Sequence, residues 1–375
     1  MRLELVKRPQ QSVLFSALSP FIAFALMVVA GGLIFLALGK DPVDGLYAYF
    51  IGPLTEVWSL HELAIKAAPL ILIAVGLSVC FLSSNWNIGA EGQFTIGAIV
   101  GSAIPLYFPD LQNAAVLPMM LVCGAIGGAA WAAIPAILKA RFNTNEILTS
   151  LMLVYVAQLI LDWLVRGPWR DPAAMSFPQA PAFHSWAIVP ELMPMSGRAN
   201  WGIVFAVIAA IAVWFMLART LKGFEVKVIG QSPRAGRFGG FSTARTIVFA
   251  FLVSGALAGL AGIVEVSGAI GRLQPQISPG YGFAAIIVAF LGRLNPLGIV
   301  AAGFVLALSY LGGEAAQIEI GVTDKTVRAF QGMLLFFVLA CDTLIHYRVR
   351  LVRPAPAAAP AAGPTPATEA AHGHG

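Results

Sequence analysis

The chain has 375 residues, of which 58% are hydrophobic and only 11% charged, with a net charge of +5. Soluble domains run near 25% charged, so this surface cannot be clothed for water, which excludes a soluble enzyme, a nucleic-acid binder and a disordered scaffold. The composition is that of an all-α polytopic membrane protein.

Residues 1–13 form a short N-terminus carrying Arg2, Lys7 and Arg8, read as cytoplasmic. The apolar stretch from Leu14 to Leu38 is too long for a signal-peptide core of about 7–15 residues, and it reads as a retained first spanning helix. Further spans are expected at 62–83, 92–108, 114–138, 146–166, 201–218, 246–267, 281–293, 296–312 and 327–346. Each approaches the roughly 20 apolar residues a crossing needs, and together they fill a transmembrane domain over 14–346 with about ten helices. A barrel would instead alternate polar and apolar residues. The segment 281–293 is short and is cut off by Pro296, so it is either a span or one half of a broken helix. Cys80, Cys123 and Cys341 are scattered through apolar runs and form neither a disulfide framework nor a metal site.

Lys and Arg set the orientation. With the N-terminus inside, 15 of the 23 basic residues fall on inner segments. These are Arg2, Lys7, Arg8, Lys139, Arg141, Arg219, Lys222, Lys227, Arg234, Arg237, Arg245, Arg293, Arg348, Arg350 and Arg353. Both termini are then cytoplasmic, the Pro-rich loop 167–200 lies outside, and the basic loop 219–245 lies inside. The Pro/Ala-rich tail 347–375 is expected to be disordered.

Three segments carry chemistry. Asn87-Ile-Gly-Ala-Glu91-Gly-Gln93 places amides and a carboxylate between apolar runs. It is either a polar re-entry lining a pathway or a short cytoplasmic turn in which Asn87 caps the next helix and Glu91 sits in its first turn. Gly271 to Gly292 is broken by Pro275, Pro279, Gly280 and Gly282, and is either an outer loop or a broken helix that exposes backbone groups. Arg219 to Arg245 contains Ser232 and Pro233, which can start a short helix that Gly239 and Gly240 stop. Such a helix on the inner face is a docking surface, or else a basic loop on anionic lipid. Gly89-Ala-Glu-Gly-Gln93 and Pro279-Gly-Tyr-Gly-Phe283 echo one another five spans apart, which points to an inverted repeat. No phosphate-cradling GxxxxGK[ST] occurs.

These segments, with Phe142 to Glu146 and Ser254 to Gly262, resemble the permease subunits of bacterial ABC importers. The superfamily is the branched-chain-amino-acid and ribose type, and within it the nucleoside/simple-sugar group that partners basic-membrane-protein-type lipoproteins. The resemblance covers roughly 15–346. It implies a multi-pass permease of the bacterial inner membrane that works with ABC ATPase subunits and a periplasmic or lipid-anchored binding protein. It also implies a second permease subunit, either a different chain or a second copy. No catalysis, cofactor, metal or nucleic acid is implied. A substrate path along Asn87, Glu91, Gln93, Tyr281 and Phe283 follows, with ATPase coupling through Ser232, Pro233, Arg234, Ala235, Gly236 and Arg237. The chain departs from the family's inner-loop pattern at Lys227, Ser232 and Gly236, and the glycine is expected to weaken the helix by about 1 kcal/mol. The rival is an ion-coupled carrier, whose coupling carboxylates would have to be Glu265 or Asp162.

Overall fold

A computed structural model describes residues 2–7, 13–175, 177–192 and 198–352. The chain runs β1 (Arg2–Lys7), α1 (Val13–Ala37), α2 (Pro42–Leu46), α3 (Gly52–Thr55), α4 (Val57–Leu82), α5 (Ala90–Tyr107), α6 (Val116–Phe142) and α7 (Glu146–Arg166). It continues with α8 (Gly202–Arg219), α9 (Leu221–Gln231), α10 (Pro233–Phe238), α11 (Thr243–Glu265), α12 (Tyr281–Leu291), α13 (Pro296–Ile320), α14 (Asp324–His346) and β2 (Tyr347–Val352). π-helical turns occupy Tyr47–Ile51 and Val266–Ile270.

Every predicted span coincides with a helix. Among the described residues, six helices are long and apolar enough to cross a membrane: α4, α6, α7, α8, α11 with its π turn, and α13. Phe24–Ala37 of α1 and the whole of α12 are shorter apolar helices. Polar caps set the boundaries. Asn145 accepts from the N–H groups of Ile147 and Leu148 at the start of α7, and Asn295 with Pro296 opens α13. These bonds satisfy donors that a helix start leaves orphaned.

The core forms around α4, whose residues from Ala67 to Phe81 are buried without a break. A helix apolar all round is an interior one, and α8, α11, α12 and α13 enclose it. Close approach of α5, α6 and α11 depends on missing side chains. A Cβ on Gly97 would strike Gly259, and one on Gly128 would strike the Gly255 carbonyl. This is the small-residue packing that replaces hydrophobic attraction inside a bilayer. By contrast, α6 and α8 expose Val122, Ile126, Ile137, Ile208, Ile211 and Phe215. Lipid is the solvent that suits such faces.

Two expectations need correction. Leu221–Gln231 lies in the segment read as a loop over 219–245 yet forms a helix, because Thr220 caps it and Lys222 pairs with Glu225 one turn on at 2.7 Å. Its Val226 and Ile229 are buried, so packing supplies what a weakly apolar sequence does not advertise. The tail was expected to be disordered from 347, but Tyr347–Val352 pairs antiparallel with Arg2–Lys7, Glu4 standing opposite Arg350. Backbone pairing along two β-prone segments accounts for the strand. Residues 353–375, the rest of that expectation, lie outside the described residues.

Candidate functional site

The segment 83–93 links α4 to α5, and the side chains of Asn87, Glu91 and Gln93 each have a defined partner. Asn87 and Gln93 form a reciprocal amide pair, Nδ2 to Oε1 at 2.9 Å and Nε2 to Oδ1 at 3.0 Å. Asn87 also donates to Ser254 Oγ at 3.0 Å and accepts the Gly89 N–H at 3.1 Å. Both side chains are buried. This closed network fixes the turn, since a buried amide left unpaired costs about 1–3 kcal/mol. Asn87 caps no helix here, as its acceptor is spent on Gly89 and Gln93.

Glu91 behaves differently. It stands in the first turn of α5, and its Oε2 accepts the Gly282 N–H at 2.6 Å, from the first turn of α12. Two helix N-termini, each electropositive, therefore converge on one buried carboxylate. The approach requires glycine, because a Cβ on Gly282 would strike the Glu91 backbone. The Ser278 hydroxyl oxygen accepts from the N–H groups of Gly280 and Tyr281 at 3.0 and 2.9 Å, and it shapes the break before α12. Tyr281 is buried against Phe94 and Tyr310. Phe283 is 40% exposed.

Glu91 lines a cavity of about 590 Å³ between α5, α7 and the chain before α12. Thr95, Tyr155, Gln158, Asp162, Gln276 and Ser278 supply its other polar groups, and neither Lys nor Arg lines it. A second hollow of about 380 Å³ shares Pro275 and Gln276 and adds Gln179 and Gln274. The sequence carried a signal for part of this wall. Tyr155, Gln158 and Asp162 recur at helical spacing within an apolar span, so they share a face. Asp162 pairs with Arg166 at 2.7 Å, and Lys66 pairs with Glu314 at 2.8 Å.

At one end of the bundle α9 and α10 form a projecting pair. Ser232 accepts from the Ala235 N–H at 3.3 Å, with Pro233 in the first turn. Ser232, Pro233, Arg234, Ala235 and Arg237 are exposed, while Gly236 is buried. Phe238, which sequence reasoning passed over, is 97% exposed at the tip. Gly236 packs on α9, where a Cβ would meet Ile229 at 2.8 Å, so the departure from alanine serves a close contact. Glu225 fastens α9 to α11 by accepting from Thr246 at 2.7 Å. Burial alone would raise its carboxyl, but the Lys222 and Thr246 hydrogen bonds and the nearby Lys222 and Arg245 charges outweigh burial and hold it below the usual carboxylate range. The same end holds Glu146, which pairs with Lys139 and accepts the Trp86 N–H at 3.3 Å.

A bundle of apolar helices with a polar cavity inside and an exposed basic helix pair at one end is the architecture of a membrane transport subunit. The chain belongs to the family described as the permease component of branched-chain amino acid transport systems, whose sequence model matches residues 59–339. It is 34% identical to the glucose ABC transporter permease protein TsgB13 of Haloferax volcanii, over 88% of this chain and 89% of that one. It is 30% identical to the guanosine ABC transporter permease protein NupP of Bacillus subtilis, over 89% and 95% of the two chains. Its identity to the nucleoside ABC transporter permease protein NupB of Lactococcus lactis is 29%, over 86% and 90%. The protein is thus a transport component rather than an enzyme, one that works with ATPase and substrate-binding partners, and the ion-coupled carrier reading gives way.

Proposed function

We propose that this permease imports a nucleoside or simple sugar, with the cavity beside Glu91 as part of its path. The observation that carries the reading is the cavity's chemistry: carboxylates, carboxamides and hydroxyls beside a tyrosine ring, with no lining cation. Carboxylates and amides suit sugar hydroxyls and base edges, and an aromatic face suits a ring. The substrates named for the relatives are of this class. Glu91 borders the path directly, Asn87 and Gln93 set its position, and Tyr281 packs behind it.

A second permease completes the path. Tyr155 and Gln158 lie on an exposed face of α7, next to the cavity. Polar groups at membrane depth require protein or a water-filled space opposite them, so another permease, a different chain or a second copy, covers that face. We read ten crossings in two inverted halves, a reading supported by the meeting of α5 and α12 at the two echoed segments. Lys139, Arg141, Arg219, Lys222, Lys227, Arg234, Arg237 and Arg245 lie on the segments around the α9–α10 end. That end is therefore assigned to the cytoplasm of the inner membrane, along with both termini. There α9 and α10 dock the ATPase, and a periplasmic or lipid-anchored protein delivers solute to the other face.

The test is reconstitution of the complete complex in liposomes with labelled guanosine and, in parallel, glucose. ATP-dependent uptake of either is expected. Replacing Arg234 and Arg237 with Glu should strip the ATPase subunits, since opposing a docking surface with like charge commonly costs about several kcal/mol. ATP-independent uptake by this chain alone overturns the reading.

A further inference from the structure

Resting on the reading of α9–α10 as the docking surface, we infer that Ser84 is a positioning residue that couples this surface to α12, and through α12 to the Glu91 wall of the cavity.

Ser84 closes the turn after α4, and its hydroxyl donates to the Gly230 carbonyl at 2.8 Å, near the end of α9. The two backbones touch there, since a Cβ on Gly230 would overlap the Leu82 carbonyl. Ser84 has φ +56°, a left-handed conformation that a side-chain-bearing residue holds only where its surroundings impose it. A shift of α9 therefore has to move the turn.

The turn in turn grips α12. Phe290, near the end of α12, stacks on Phe81 with ring centroids 5.2 Å apart and on Trp86 at 5.9 Å. Phe81 and Trp86 flank Ser84 in sequence, and Glu146 fixes the Trp86 backbone. From Phe290 the helix runs back to Gly282, whose N–H is held by Glu91. A helix of 11 residues spans about 16 Å at 1.5 Å per residue. It is short enough to move as one body, and both of its ends are held. Displacement at the docking surface thus reaches the cavity wall through one hydrogen bond, one aromatic stack, one helix and one further hydrogen bond.

Contiguity is not coupling, so the experiment reads coupling directly. In the assembled complex, on a cysteine-free background, Gln276→Cys reports cavity access through its rate of labelling by an impermeant maleimide. Rates are compared without nucleotide and with vanadate-trapped nucleotide. With no further change, the two rates should differ by about fivefold or more, the scale of an ordinary coupling energy. Ser84→Gly deletes the hydroxyl while relieving the strained backbone, so the fold is retained. It should abolish the nucleotide-dependent difference while the ATPase subunits still co-purify and hydrolyse ATP. Phe290→Leu should do the same, and the double variant should be no worse than either single one, as members of one chain of contacts require. An undiminished difference in Ser84→Gly with the ATPases bound overturns this inference alone. Failure of the unaltered chain to retain ATPase subunits overturns the docking reading, and this inference with it.

Discussion

Gly282→Ala is the most exacting perturbation of the site. The added methyl would meet the Glu91 backbone nitrogen and Cα rather than a flexible side chain. Neither helix start can yield locally, because Glu91 lies in the first turn of α5, within the segment that the Asn87–Gln93 pair locks, and Ser278 shapes the start of α12. Overpacking of this kind costs about 1–3 kcal/mol. Separating the helices also forfeits the bond from Gly282 to a buried carboxylate, and bonds to charged groups contribute about 1.5–3 kcal/mol. Together these give a loss of about 2.5–6 kcal/mol, large for one methyl group. The assay is the monodisperse fraction remaining after a heating series in detergent, read by fluorescence-detected size exclusion, with ATP-driven uptake measured on the same preparations. Phe283→Ala, one position along but on an exposed face, is the control and should stay within about 0.5 kcal/mol. An unshifted heating profile for Gly282→Ala would refute the close approach of α5 and α12, and with it the assignment of Glu91 to that junction.

Glu91→Gln keeps an acceptor for Gly282 but removes the charge, and should cost about 1 kcal/mol of stability. Uptake should fall further than the heating profile, and parallel losses would reduce Glu91 to a structural pin. Asn87→Ala leaves Gln93, Ser254 and the Gly89 N–H short of partners, so the same heating series should show a loss of about 2–4 kcal/mol. Glu225 gives a pH dependence. Its folded-state carboxyl is held below the ordinary range, so its stabilisation is complete above the unfolded value of about 4.3 and is lost as pH falls through the lower folded value. The stability gap between the unaltered chain and Glu225→Gln should be constant from about pH 8 to 5 and close below about pH 4. A gap unchanged at pH 3.5, a value chosen to lie about one unit below that reference, would show that ionisation of Glu225 contributes nothing.

Hydropathy made the helices legible, because lipid-facing and core-facing residues are both apolar and a crossing has a fixed length. It could not separate α4, which is buried from Ala67 to Phe81, from α8, which exposes Ile208, Ile211 and Phe215, because both read as apolar runs. Ser232 with Pro233 announced α10 because a capping hydroxyl and a ring-fixed φ act within one turn. Helix α9 also has a capping hydroxyl, Thr220, but its sequence is only weakly apolar. Much of its support comes from Thr246 and from close packing on Leu217, both supplied by other helices. The junction of Glu91 with Gly282 joins residues 191 positions apart, and only the echo between their two segments hinted that they belong together.

Neighbours in sequence need not share surroundings. Tyr281 and Phe283 stand two apart on a helix and do not share a face. The structure accordingly buries Tyr281 and leaves Phe283 exposed. Gly236 shows the opposite case. Propensity alone charges it about 1 kcal/mol against alanine, and that cost is real for an isolated helix. Here α10 lies so close to Ile229 that a methyl at 236 would come within 2.8 Å of its side chain. The residue that weakens the helix in isolation is the one that lets it seat on α9, so the tertiary contact outweighs the propensity. In a helix of six residues, too short to stand alone in water, that seat is what holds Arg234, Arg237 and Phe238 out for a partner.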